Sequence, residues 1–340
     1  MSFQRFFVQP AAPEYAETFR AYRNYFEDLA SCIGGYYGVA DSLVAGVHDA
    51  VLAHVRTVRI NRKPLTKSSR QLIGDCLCKS WSRLHRIERE LADPWTFDEE
   101  VNGWLPNHCY YAAYYGVLAY AAASRQSIPR DHRTALNLIA KEIGRGLLPY
   151  PWSASCSDGP DTAAITYDGF STLVGSVHVL STPDPGTTEN RLGMLLRTTR
   201  QKDLERLYAQ ERQRKPAPGR IRRNVSRQMK ERIAAKTEAT TLFDVLYRLR
   251  RKVDYHDADA LVLGADHEMD ARRLAEGLAI VTNATVAALE ALIAAYCGPA
   301  ELTSMTDAYL RKRSAAPAST LGVRARSWAA RSKGVTLSQG

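Results

Sequence analysis

Residues 240–257 read TTLFDVLYRLRRKVDYHD, and this stretch says more about fold and chemistry than any other part of the chain. Its apolar residues recur on one side of a helical wheel, so it predicts an amphipathic helix. A group of cations, a carboxylate, a phenol and an imidazole lie at its end. Such a group can act on phosphodiesters, because a guanidinium stabilises a phosphorane and an imidazole moves protons.

Helical patterns continue on both sides of this stretch and predict a mainly α protein. The first sixty residues indicate two helices separated at Gly34-Gly35, and Asp131 is placed to cap a later helix. Gly298-Pro299 would end the last long helix, and Asp266 would begin it. The further predicted helices cover Ser69 to Glu90, His108 to Ser124, Thr134 to Ile143 and His267 to Tyr296.

Two regions lack this regularity. Residues 146–196 are rich in Gly, Pro, Ser and Thr and indicate an irregular insertion, with short strands or loop at 163–167 and 171–180. Residues 315–340, rich in Ser, Ala and Arg, indicate a mobile tail.

Positive charge is concentrated in one segment. Residues 197–236 hold 14 Lys and Arg against four Asp and Glu, a difference of +10 that equals the net charge of the whole chain. Such a segment attracts polyphosphates by counterion release, whatever their sequence. A solvated insertion whose charges only aid solubility is an equal alternative.

Composition favours a cytoplasmic protein. No run of about 18 apolar residues indicates a membrane span, and the N-terminus lacks the apolar core of a signal peptide. Of the six cysteines only Cys76 and Cys78 are close, without a second pair at zinc-finger spacing. We therefore expect buried free thiols, no membrane association, no bound metal and no cofactor.

Three segments in order resemble HEPN domains. Residues 110–118 (YYAAYYGVL) are similar to the second helix of that family, 128–132 (IPRDH) to the turn and histidine that commonly follow, and 249–256 (LRRKVDYH) to the signature at the end of its fourth helix. The resemblance implies an antiparallel helical bundle that dimerises. Many members are RNA endonucleases of toxin–antitoxin, antiviral or CRISPR-linked defence systems, and others are inactive partner modules.

The resemblance also divides the chain. It implies a HEPN-like bundle in two parts, at 69–145 and 220–298, interrupted by an irregular and basic insertion at 146–219. Residues 1–68 would form an N-terminal helical extension and residues 299–340 a C-terminal tail.

The candidate catalytic residues are Arg250, Arg251, Asp254, Tyr255 and His256. A guanidinium can bind two phosphate oxygens in a fork, and an imidazole can act as base or acid near neutral pH. Asp254 would orient a neighbouring group, and Tyr255 would stack a base or donate to phosphate. Helical spacing also pairs Arg250 with Asp254 and Arg251 with Tyr255, so a structural ion-pair group is the alternative.

The geometry of one helix does not bring an arginine and this histidine together. His256 lies six residues beyond Arg250, on another side of an ideal helix. In the family, a twofold dimer makes the two helix ends face each other across a cleft. An arginine and a histidine with four to six residues between them, the spacing of the family's motif, also occur at Arg125 and His132, where we interpret His132 as a structural residue at a helix start.

The sequence thus predicts a metal-independent RNA endonuclease with RNA as its partner, acting as a homodimer beside an antitoxin or defence-complex protein. The candidate nucleic-acid contacts are Arg220, Arg222, Arg223, Arg227, Lys230 and Lys252. The alternatives are a non-catalytic HEPN module that binds a partner protein or nucleic acid, and a DNA-binding regulator without a convincing helix-turn-helix.

Overall fold

Helices form most of the chain, as the hydrophobic periodicity predicts. The structure, a computed structural model, describes residues 13–58, 60, 64–92, 99–157, 164–175, 187–213, 224–255, 258–313 and 319–333. Its helices are α1 (Pro13–Tyr37), α2 (Asp41–Arg56), α3 (Lys67–Leu91), α4 (Leu105–Ala123), α5 (His132–Gly144), α6 (Thr188–Gln213), α7 (Arg227–Lys236), α8 (Leu242–Tyr255), α9 (Ala258–Val262), α10 (Glu268–Cys297), α11 (Pro299–Arg313) and α12 (Thr320–Ser332), with a 3₁₀ helix at Glu99–Gly103. The mainly α fold is confirmed, whereas the HEPN-like bundle stays a prediction.

The centre of the fold is α10, which packs against α1, α2, α3 and α4. Its alanines and glycines allow close approach: a Cβ added at Gly277 would lie 3.0 Å from the backbone of Phe26. By length and composition α10 could cross a membrane, but 83% of its most apolar window is buried inside the protein. This burial is that of the core helix of a folded protein.

The caps of two predicted helices follow local rules. Asp131 caps α5 as expected, because its carboxylate accepts the backbone N–H of Thr134 at 2.8 Å. Asp266 does not cap α10, since the residue at that position is His267 and its side chain makes no capping bond.

The predicted break at Gly34-Gly35 is wrong. Helix α1 continues through both glycines to Tyr37, and the chain turns at Gly38, where φ is +92°. Tyr37 lies in the core, so packing extends the helix beyond the point that glycine propensity indicates.

The interpretation of residues 146–196 as irregular is only partly right. Strands β1 (Ser155–Cys156), β2 (Ala164–Tyr167) and β3 (Phe170–Leu173) join β4 (Thr240–Thr241) in an antiparallel sheet of order β3-β2-β1-β4. From Thr188 onward the chain is helical, and α6 packs against α1 and α8. Its Arg191 forms a buried ion pair with Asp28 of α1 at 2.5 Å. Residues 188–213 therefore belong to the packed fold, because long-range contacts compensate their polar composition.

The interpretation of the C-terminus as a tail is wrong for residues 299–313 and 319–333. Helices α11 and α12 occupy this region, and Trp328 of α12 is fully buried. Arg324 of α12 is also fully buried, and its Nε donates to Glu290 of α10 at 2.8 Å. Arg324 and Glu290 thus form a buried charge pair between α12 and α10, although the composition of α12 is typical of a mobile chain end.

Candidate functional site

The described candidate catalytic residues lie on helix α8, and the apolar residues of this helix fix its position by packing in the core. Leu246 and Leu249 are buried in the core, and Asp244 accepts the backbone N–H and the hydroxyl of Thr241, each at 2.9 Å. This arrangement caps the start of the helix. Burial raises the pKa of Asp244 to about 6. The end of α8 is therefore held in one orientation relative to α4 and α6.

Arg250 is enclosed by α4. Its Nη2 lies 2.8 Å from Asp254, which confirms the predicted pair, and Asn107 donates to the same carboxylate at 2.7 Å. Its guanidinium lies 5.3 Å from the centre of the Tyr111 ring and 5.9 Å from that of Tyr110. The side chain is only 12% exposed. Arg250 is thus a positioned cation within the fold.

Beside Arg250 lies a tyrosine–histidine cluster formed by Tyr110, Tyr111, Tyr114, Tyr247 and His132. The imidazole Nδ1 of His132 is 2.8 Å from the hydroxyl of Tyr110, and its ring centre is 4.8 Å from that of Tyr114 and 5.6 Å from that of Tyr247. Burial and the charge of Arg250 lower the pKa of His132. The cluster therefore holds a neutral imidazole near a fixed guanidinium.

His132 was assigned only a structural role from the sequence. It is the first residue of α5, as expected, but it also contacts α4 and α8 through the cluster. The signal that could have revealed it is the repeated tyrosine of α4, because Tyr110 and Tyr114 are one helical turn apart and face the same neighbour.

Arg251, the next residue of α8, has different surroundings from Arg250. Its guanidinium lies 6.0 Å from the centre of the Tyr247 ring, one turn earlier in α8. The pair predicted with Tyr255 is not tested, since the side chain of Tyr255 lies outside the described residues. His256 also lies outside them.

Arg251 lines a cavity of about 400 Å³ between α6 and α8. The α6/α8 cavity carries five cations, two carboxylates and one aromatic ring. Its lining residues are Thr199, Lys202, Asp203, Arg206, Asp244, Tyr247, Arg248, Arg251 and Lys252. Both carboxylates are engaged: Asp203 pairs with Arg133 at 2.8 Å, and Asp244 accepts from Thr241. The cavity therefore favours anions.

The predicted nucleic-acid contacts divide into three groups. Lys252 lines the α6/α8 cavity, whereas Arg227 and Lys230 lie exposed on α7, outside its lining. Arg227 pairs with Glu231 at 2.9 Å, and the Lys230 ammonium lies 5.6 Å from the centre of the Tyr208 ring. Arg220, Arg222 and Arg223 fall outside the described residues.

Potential metal ligands are dispersed. Across the described ranges, no group of three or more His, Cys, Asp or Glu side chains could hold a metal ion. The six cysteines are free, and three of them are buried.

Fold and site define a mainly α protein in which a cationic cavity adjoins a tyrosine–histidine cluster. Comparison of the chain with protein-family models, curated proteins and solved structures gives no match. The relation to HEPN domains consequently depends on the three sequence segments alone.

Proposed function

We propose that the chain is a metal-independent RNA endonuclease of the HEPN type, acting in the cytoplasm as a homodimer in a prokaryotic defence or toxin–antitoxin system. The observation that supports it best is the position of Arg251. Its guanidinium lines the anion-attracting cavity, 6.0 Å from the centre of the Tyr247 ring, and His256 follows five residues later in the chain. Phosphate binding and proton transfer are the two capacities that cleavage of RNA by its own 2′-hydroxyl needs.

In this reaction the ribose O2′ forms a bond to the adjacent phosphorus while the P–O5′ bond breaks. The base takes the proton of the 2′-hydroxyl, and the acid gives a proton to the departing 5′-oxygen. The products are a 2′,3′-cyclic phosphate and a 5′-hydroxyl. We assign phosphate binding to Arg251 and proton transfer to His256, with Tyr255 as the residue that contacts a base.

Arg250 has a different role in this proposal. Because it is largely enclosed and paired with Asp254, it positions the end of α8 and supplies positive potential there. Arg251 provides the fork that binds two phosphate oxygens, which a lysine does not reproduce.

The test is cleavage of labelled transfer RNA and of a mixed RNA pool in excess EDTA. We expect wild type to leave 2′,3′-cyclic phosphate ends and His256→Ala to leave the RNA intact while it still binds RNA and dimerises. Arg251→Lys should bind with the same salt dependence but cleave at least about tenfold more slowly, because a point charge replaces the fork. Equal cutting by His256→Ala would refute the assignment.

A non-catalytic HEPN module that binds a partner protein or nucleic acid is the second candidate. It is favoured by the contacts of Asp254, whose carboxylate pairs with Arg250 and accepts from Asn107 as in a structural ion-pair group. A stable complex with the product of a neighbouring gene, without cleavage by either the free chain or the complex, would support this candidate.

A further inference from the structure

We propose that the α6/α8 cavity binds a single unpaired nucleotide of an RNA strand, with its phosphate on the cations and its base on Tyr247. The choice of RNA as the source of that nucleotide rests on the proposed endonuclease function. The cavity itself is an independent observation, since its residues come from α6 and α8 and were not assigned together from the sequence.

The size of the cavity suits one nucleotide. Its volume of about 400 Å³ lies within the range of small-molecule sites, roughly 300–1,000 Å³. A base inside a duplex is covered by its neighbours and by its partner strand, so it cannot lie against a ring in a cavity wall. An unpaired base can turn out of the strand and reach such a ring.

The charges of the cavity suit a phosphate. Lys202 and Arg206 of α6 lie across from Arg251 and Lys252 of α8, so cations come from both walls. The Nη2 of Arg206 lies 3.7 Å from Asp203, whereas its Nε is buried and has no hydrogen-bond partner in the part of the chain that the structure describes. A buried N–H without a partner is costly, and a phosphate oxygen would satisfy it.

The aromatic wall suits a base. Tyr247 lines the cavity, and its ring is held by neighbours on α4 and α5: its centre is 5.2 Å from that of Tyr110 and 5.6 Å from that of His132. A ring that is already fixed loses little freedom when a base stacks on it. Stacking tolerates any base, because every base has a π face.

The experiment measures binding without cleavage. Fluorescence anisotropy of the full chain is recorded with a labelled 2′-O-methyl RNA, which lacks the attacking hydroxyl, as a single strand and as a blunt-ended duplex of the same length. Tyr247→Leu should weaken single-strand binding roughly tenfold, and Tyr247→Phe should bind like wild type. Arg251→Gln should weaken binding and reduce the slope of log K against log salt by about 0.7. Arg70→Gln, an exposed cation of α3 outside the cavity, is the matched control and should leave both unchanged.

Each outcome has a defined meaning. Wild-type-like binding by both Tyr247→Leu and Arg251→Gln, with folding verified by circular dichroism, would overturn the cavity as the site. Equal affinity for the blunt-ended duplex and the single strand would overturn the unpaired nucleotide. Binding of adenosine 5′-monophosphate without binding of the strand would identify a free nucleotide as the ligand and overturn RNA as its source. Loss of affinity in the variants of a chain that cleaves no RNA would support this inference and refute the proposed endonuclease.

Discussion

Two adjacent arginines of α8 have different surroundings. Successive residues of a helix point about 100° apart, so Arg250 faces the tyrosines of α4 whereas Arg251 faces the α6/α8 cavity. The enclosed guanidinium depends on Asp254 for its counter-charge, with the two side chains 12% and 22% exposed. Arg250 is therefore expected to contribute to stability, and Arg251 to ligand binding.

Asp254→Asn should lower the free energy of unfolding by about 1–2 kcal/mol, because it leaves the largely buried Arg250 without its anion. Urea denaturation measures the change. Glu231→Gln breaks an ion pair of the same i,i+4 type on exposed α7, with side chains 93% and 63% exposed, and should change stability by less than about 0.5 kcal/mol. Equal effects of the two variants would show that Arg250 is not held in this way.

At the scale of the elements, glycines set how closely helices meet the neighbouring chain. A Cβ added at Gly46 of α2 would lie 1.9 Å from the backbone oxygen of Tyr37, which ends α1. At Gly74 of α3 it would meet nothing within 4 Å. Packing therefore requires a glycine at position 46, whereas Gly74 only lowers the helix propensity of α3.

Gly46→Ala should destabilise the protein by about 1–3 kcal/mol or more, since a backbone atom must move. Gly74→Ala, its matched control in a helix interior, should stabilise the protein by about 0.5–1 kcal/mol. Thermal denaturation of the two variants beside wild type tests both signs. A stable Gly46→Ala protein would indicate that α1 and α2 are further apart than the structure has them.

At the scale of the whole molecule, one buried polar network connects four helices. Glu290 of α10 accepts from Trp81 of α3 at 2.6 Å and from Arg324 of α12 at 2.8 Å, and it lies 3.0 Å from His48 of α2. Burial alone would raise the pKa of Glu290, but Arg324 and His48 outweigh it and lower the pKa to about 2. Burial lowers the pKa of His48 from 6.5 to about 4.

Because of this network, the free energy of unfolding should decrease as the pH is lowered. Between about pH 6.5 and pH 4 the unfolded chain protonates His48 while the folded chain keeps it neutral, so acid favours unfolding. Below pH 4.5 Glu290 adds to the loss, because it stays ionised in the folded chain down to about pH 2. His48 alone should reduce the free energy of unfolding by about 2 kcal/mol between about pH 7 and pH 5.

Urea unfolding at the two pH values measures this loss. His48→Gln should remove its part. The smaller remaining dependence comes from His108 and His132, whose pKa values burial and nearby arginines also lower, and is offset in part by Asp244, whose raised pKa of about 6 acts in the opposite direction. A wild-type protein equally stable at both pH values would refute this description of the network.

Local sequence signals suffice to predict several of the helices. The capped α5, the amphipathic α3 and α8 and the apolar α10 were all predicted, because periodicity and caps depend on residues within one or two turns. The sequence also predicted the Arg250–Asp254 pair, which one helix contains entirely. The assignment to HEPN domains and the chemistry of His256 stay predictions from sequence.

Other features of the fold depend on partners far apart in the chain, so no local pattern predicts them. The polar α6 and α12 are held by Arg191 with Asp28 and by Arg324 with Glu290, pairs that no local pattern reveals. Likewise, Arg251 and Lys202 line one cavity although about fifty residues separate them. Composition describes such segments as solvated, whereas apolar residues such as Leu196 of α6 and Trp328 of α12 are buried in the core, and the charges of Arg191 and Arg324 are buried beside a carboxylate.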